Sequence, residues 1–153
     1  MVKRRVWTRV LAESPRSTSE ELAALIERGH EVVEVHAPRQ GLVMCQVRET
    51  ARNSRFYLGE ALMTECRVRI GDVEGLGAVL GADALRARAM AVVDAALSQP
   101  EPLAEAPELE RRIAEAGKLL HERQQRADAR VLTSRVSFDT MGGQDMSVQA
   151  VVK

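Results

Sequence analysis

Residues 65–70 alternate without exception: Cys66, Val68 and Ile70 are apolar, whereas Glu65, Arg67 and Arg69 are charged. An extended chain sends successive side chains to opposite sides, so this run sorts into one dry face and one wet face. That is the pattern of an antiparallel strand with a single buried face. The dry face needs a cover, and helices elsewhere in the chain must provide it.

Neighbouring segments extend the sheet. Val32 to Ala37 alternates up to Pro38, which reads as a strand end, and Leu42 to Arg48 reads as the next strand. A polar stretch, Thr50 to Ser54, leads into Phe56 to Leu62. Gly71-Asp72-Val73-Glu74-Gly75 has turn chemistry, after which Leu76 to Leu80 returns. The expectation is an antiparallel meander of about five strands.

Helical spacing frames this meander. Residues 2–13 place Val6, Trp7, Val10 and Leu11 on one side, and Pro15 ends that helix. Ser17 with Glu20 and Thr18 with Glu21 form overlapping capping boxes ahead of Leu22, Leu25 and Ile26, with Gly29 at the close. Residues 83–97 carry Leu85, Ala89, Val92, Val93, Ala96 and Leu97 on one stripe. Residues 98–107 contain three prolines and read as a linker. In 108–130 Leu109, Ile113, Ala116 and Leu120 make a narrow apolar seam at alternating steps of four and three, and nearly everything else is Glu, Arg, Lys or Gln. So narrow a seam suits a partner helix rather than the core of its own domain. Arg135 to Phe138 is a short final strand candidate. The fold class is therefore α+β: residues 1–97 form the core domain, 98–107 a linker, 108–141 a helical arm with a short strand, and 142–153 a tail.

Composition narrows the function classes. Lys+Arg and Asp+Glu balance at 22 each and aromatics are 3% of the chain, so neither a strong basic field nor a stacking platform for nucleic acid is evident. A basic first helix and a capped second one resemble a helix-turn-helix, but no basic recognition helix follows. No apolar stretch approaches the length of a membrane span, and no signal-peptide core opens the chain, so a cytoplasmic location is expected. Two cysteines in no paired pattern exclude a disulfide framework and a structural zinc site.

Candidate chemistry is sparse. Gly75-x-Gly77-x-x-x-Gly81 has the wrong spacing for a dinucleotide turn and is better explained by strand ends, although the start of the following helix offers N–H groups to an anion. His30, His36 and His121 are scattered; His30 suits a helix end, and His36 near Arg39 is the one placed to approach a phosphate. Cys45 and Cys66 fall on apolar strand positions and read as small buried side chains. Glu60 and Asp94 are carboxylates within apolar elements, fit either for proton transfer or for anchoring a loop. Arg67 and Arg69, with Arg48 and the arginine-rich helix, make either solvated surface or a protein interface.

Several stretches carry a resemblance. Phe56, Gly59, Glu60 and Thr64 match an F-x-x-G-[DE]-x-x-x-T signature. Gly81 and Asp94 fall in a glycine turn and an A-x-x-D-A helix, and Arg135, Phe138, Thr140 and Met141 in an S-R-V-x-F-x-T-M motif. Gly41-Leu42-Val43 adds a further match. In order and spacing these resemble the G-subunit family of the bacterial carbon–phosphorus lyase core complex, over roughly residues 5–141.

The resemblance implies a place beside the H, I and J subunits, with the K and L subunits joining transiently. It links the chain to the step that joins methylphosphonate to ATP-derived ribose triphosphate, giving α-D-ribose 1-methylphosphonate 5-triphosphate. ATP and methylphosphonate are then substrates of the assembly, with no cofactor in this subunit and no established catalytic residue to carry over. The isolated chain is expected to be inactive and to self-associate. The seam Leu109, Ile113, Ala116 and Leu120, with Arg67 and Arg69, is the expected partner surface. A small independent enzyme acting on a phosphorylated compound through Glu60, Asp94 and the glycine turn is the alternative.

Overall fold

A computed structural model of the chain describes residues 3–133. Its elements run α1 (Arg4–Glu13), α2 (Arg16–Glu27), β1 (Val33–Arg48), β2 (Arg55–Ile70), β3 (Val73–Leu80), α3 (Ala84–Leu97) and α4 (Ala106–Thr133). Among the described residues the class is α+β, with four helices and a three-stranded antiparallel sheet in the order β1-β2-β3. The chain divides into two compact units, one ending at Leu120 and the other beginning at His121.

The expected five strands are three, because two of the expected breaks are not breaks. Pro38 lies inside β1, where register shifts between Glu34 and His36 and between His36 and Arg39 absorb it. A proline cannot donate to a ladder, but β1 is an edge strand and its outward N–H positions need no partner. Likewise Phe56 to Leu62 runs into Cys66 to Ile70 as one strand of 16 residues. The turn at Gly71-Asp72 connects β2 to β3 where the sequence places it, with Ile70 opposite Val73. The final strand expected at 135–138 lies outside the described residues.

Cys66, Val68 and Ile70 are buried and Arg67 and Arg69 exposed, as the alternation requires. The cover over that face is chiefly α3, which packs on β2 and β3 and is in turn backed by α2 and α1. Ala-rich α3 comes unusually close. A Cβ built on Gly77 would stand 1.8 Å from the Ala87 carbonyl oxygen, and one on Gly75 2.2 Å from that of Ala91. These two glycines therefore serve helix–sheet contact, and the space a phosphate would need is filled by α3 backbone.

Two helix expectations change. The α2 capping boxes do not form: Pro15 occupies the N-cap position with no side-chain cap, and Ser17 and Thr18 already lie within the helix. Only two residues separate α1 from α2, so proline sets the entry angle and the helix begins early. Of greater consequence, the α4 seam is not free. Leu109, Ile113 and Ala116 are buried in the common core and Leu120 packs partly against it. Small residues let the helix approach α1, where a Cβ on Gly117 would be 3.4 Å from Val10. The reading of this seam as a partner surface is thus overturned, because the chain's own helices cover it.

Candidate functional site

The core ends where β3 ends. Leu80 pairs with Met63, and beyond the Gly81 bond to Leu62 no strand among the described residues lies on the β3 side of β2. The β1–β2 ladder nevertheless continues for seven more pairs, from Leu42 opposite Leu62 to Arg48 opposite Arg55. At about 3.3 Å per residue this leaves a two-stranded arm roughly 20 Å long. Its sequence is not that of a wet hairpin. Leu42, Met44, Val47, Phe56, Tyr57 and Leu58 are all exposed, with Leu42 at 64% and Leu58 at 68%. An isolated hairpin is marginal in water even when its faces are polar. Apolar exposure along both strands marks a surface meant for another protein.

The arm is rooted and shaped by residues the sequence reading had singled out. At its root the Thr64 hydroxyl donates to the Gly81 carbonyl at 2.6 Å, and the Gly81 N–H donates to the Leu62 carbonyl at 2.8 Å. These bonds fasten β2 to the turn that starts α3, and they bring two family-motif positions together. Midway, the ladder slips between Cys45 and Gln46, opposite Gly59, whose φ of 154° favours glycine. This bulge leaves Leu58 unpaired and re-aims the distal arm.

A compact turn closes the tip. The Glu49 carboxylate accepts from the Arg52 N–H at 2.6 Å and from the Ser54 hydroxyl at 3.2 Å. Those bonds, the Arg52 N–H foremost, hold the Glu49 carboxyl below its ordinary range. Arg48 donates to Asn53 at 3.2 Å. With Glu49 spent on the turn, Arg48, Arg52 and Arg55 leave the tip cationic.

Asp94 has a different role. It is 2% exposed and its four acceptor positions are all engaged. One oxygen accepts from Arg4 Nε at 2.9 Å and Trp7 Nε1 at 3.1 Å; the other accepts from the Leu76 N–H at 2.9 Å and from Arg4 Nη2. The carboxylate in return raises the Arg4 pKa, first by hydrogen bonding and then by its charge. A carboxylate so saturated anchors α1 and β3 to α3 and has no lone pair to spare for proton transfer. Nothing in the sequence signalled this knot, because its donors lie 90 and 18 positions away.

The remaining candidates do not converge. Glu60 is exposed on the arm opposite Met44 and is not a buried carboxylate. The start of α3 is already capped by its own Asp83, which accepts from the Arg86 N–H at 3.1 Å. His30 bonds Glu105 at 3.0 Å and His121 lies near Gln125. Arg39, beside His36, is taken by Glu65 at 2.7 Å and depresses that carboxyl's pKa, chiefly by hydrogen bonding. Cys66 is buried, and burial pushes its thiol up, away from nucleophilic use. Cys45, expected buried, is only half-buried because its strand has left the core. Arg67 and Arg69 lie on the wet face of the sheet and do not line the concavity of about 400 Å³ formed by Arg39, Gly41, Val43, Met63 and Glu65. Arg135, Phe138, Thr140 and Met141 lie outside the described residues. The three motives for an independent enzyme are thus an exposed glutamate, a saturated aspartate and a glycine run whose Gly75 and Gly77 are packed against α3. Among the described residues no helix is long and apolar enough to cross a membrane.

Comparison with known proteins supplies the family. The model of the family described as phosphonate metabolism protein PhnG matches residues 2–143. A relative from Rhizobium meliloti (strain 1021), α-D-ribose 1-methylphosphonate 5-triphosphate synthase subunit PhnG, is 34% identical over 145 residues, spanning 92% of this chain and 89% of its own. With a match over nearly the whole length and the signature residues clustered along the arm and its root, the chain belongs to the PhnG family of phosphonate metabolism.

Proposed function

We propose that the chain is a structural or accessory subunit of the assembly that forms α-D-ribose 1-methylphosphonate 5-triphosphate from ATP and methylphosphonate. Its companions are the H, I and J subunits, with K and L joining transiently, in the cytoplasm. Family membership supports the assembly, and one observation carries the accessory role: among the described residues a run of exposed apolar side chains lies on a projecting arm, while the candidate catalytic groups are exposed singly or spent on structure. Without its companions the chain is inactive and prone to self-association through that arm, since exposed apolar strands pair indiscriminately. No cofactor belongs to this subunit. Phe56, Gly59 and Glu60 act as arm residues, and Thr64, Gly81 and Asp94 act by holding the arm and its base.

The test is co-expression of the tagged chain with the H, I and J subunits, followed by purification and assay of ribose triphosphate transfer by the assembly and by the chain alone. Stable co-purification with activity confined to the assembly is expected. A monodisperse chain that ignores those subunits, or one that turns over ATP by itself, refutes the reading.

A further inference from the structure

We infer that the arm is a tongue that enters an apolar-walled, carboxylate-floored cleft of a different subunit, with Arg52 and Arg55 at its leading end. This rests on the subunit reading above and names the kind of surface that completes it. Two features define the tongue. Leu42, Met44, Phe56 and Leu58 expose apolar side chains along its length, and among the described residues neither strand of its distal part has an outer neighbour. At the far end three arginines are gathered within eight positions, Arg48 to Arg55, and the sole carboxylate among them closes the turn.

Charge decides against a second copy as the occupant. Two arms laid parallel would place tip arginines on tip arginines. Laid antiparallel, each tip would meet the other's base, where Glu65 is held by Arg39, Glu34 by Arg88, and Glu74 stands opposite Arg69. The first orientation sets like charges against each other and the second offers the tip only carboxylates that already face a cation, which costs specificity and affinity. A heterologous cleft with carboxylates at its floor satisfies both the walls and the tip. Guanidinium forks are suited to that floor because each can take a carboxylate through two N–H groups.

The experiment uses the co-expressed assembly and three variants of this chain. Arg52→Glu with Arg55→Glu reverses the tip, Arg52→Lys with Arg55→Lys preserves its charge, and Leu42→Ser with Leu58→Ser removes apolar wall contacts. All four side chains are exposed, so circular dichroism should show each variant folded as the parent. Charge reversal should weaken association by at least about tenfold and flatten its salt dependence, while the lysine variant should keep the salt dependence and most of the affinity. The serine variant should lose at least about tenfold with its salt dependence intact. In the parent assembly the amides of 55–62 should exchange more slowly than in the free chain.

Unchanged affinity in both the glutamate and serine variants overturns the tongue while leaving the subunit reading standing. Failure of the parent chain itself to assemble overturns both. A contact between two copies of this chain that persists within the assembly and that either variant dissolves assigns the arm to a second copy instead. Normal assembly with weakened ATP binding by the glutamate variant assigns the tip to a triphosphate, and also overturns the inference.

Discussion

Replacing Gly77 by alanine adds a single methyl group at the tightest point of the molecule. The added carbon would lie 1.8 Å from the Ala87 carbonyl oxygen, 2.6 Å from the Ala91 nitrogen and 2.9 Å from the Ala87 carbonyl carbon. All three are backbone atoms of α3, so no side chain can rotate away, and α3 must retreat by more than an ångström to restore contact. Such a retreat loosens the helix along β2 and β3 together. Overpacking typically costs about 1–3 kcal/mol, and a backbone-on-backbone clash belongs at or above the upper end of that range. At about 2–4 °C per kcal/mol for a chain of this size, a loss near 3 kcal/mol lowers Tm by roughly 6–12 °C. Thermal and urea unfolding followed by circular dichroism measure it, and Gly41→Ala is the matched control. No atom lies within 4 Å of a Cβ at Gly41, so that change should be neutral within about 0.5 kcal/mol. If Gly77→Ala also stays within about 0.5 kcal/mol of the parent, α3 does not sit on the sheet as described and the argument for this glycine fails.

Other outcomes are equally specific. Asp94→Ala strands the buried Trp7 and Leu76 donors and should cost about 3–5 kcal/mol in urea unfolding, whereas Arg4→Ala should cost less because the Arg4 side chain is 58% exposed. Thr64→Val removes the donor to the Gly81 carbonyl; a loss of about 1–2 kcal/mol is expected, with faster hydrogen exchange at the Gly81 amide but unchanged exchange within α1. Glu108, hydrogen-bonded by Arg111 and then Arg112, should titrate at about 2 in a carbon-detected NMR experiment. A depressed carboxyl pKa stabilises above the unfolded-state value and loses that contribution as pH falls through the folded one. The Glu108 contribution is therefore present above about pH 4.5, fades toward pH 2, and shrinks in high salt because the group is exposed. Arg111→Gln should move the midpoint back up, and an unmoved midpoint would deny the ion pair.

Local patterns made much of this architecture legible. The alternation at 65–70 named its dry and wet faces correctly, and Gly71-Asp72 named the turn. Helical spacing found α1, α2 and α3 within a few residues. Where reading failed, a distant partner outweighed a local signal. Pro38 breaks a strand only if its missing donor is needed, and an edge position removes that need. The seam on α4 is too narrow for a core helix by itself, yet it joins one buried cluster with Trp7, Val10, Leu11, Leu22 and Ile26, a partnership that no local pattern displays. The arm was hidden for a similar reason. Its residues look like ordinary half-buried strands, and only the early end of β3 at Leu80 reveals that no core lies beneath them. Asp94 looked like possible chemistry because its donors come from α1 and β3, far off in the chain.

Strand β1 has opposite properties at its two ends. Near the base its ladder is interrupted twice around Pro38, so its outer rim presents a broken row of donors and acceptors that no straight strand can follow. From Arg39 to Cys45 the rim is regular again. The extra residue of the bulge beside Gly59 is Leu58 on β2, so β1 itself runs on without an inserted residue to Arg48. The proline that interrupts the sequence pattern thus confines the irregular rim to the base of β1, next to the helices, where strand addition needs an unbroken row of donors and acceptors.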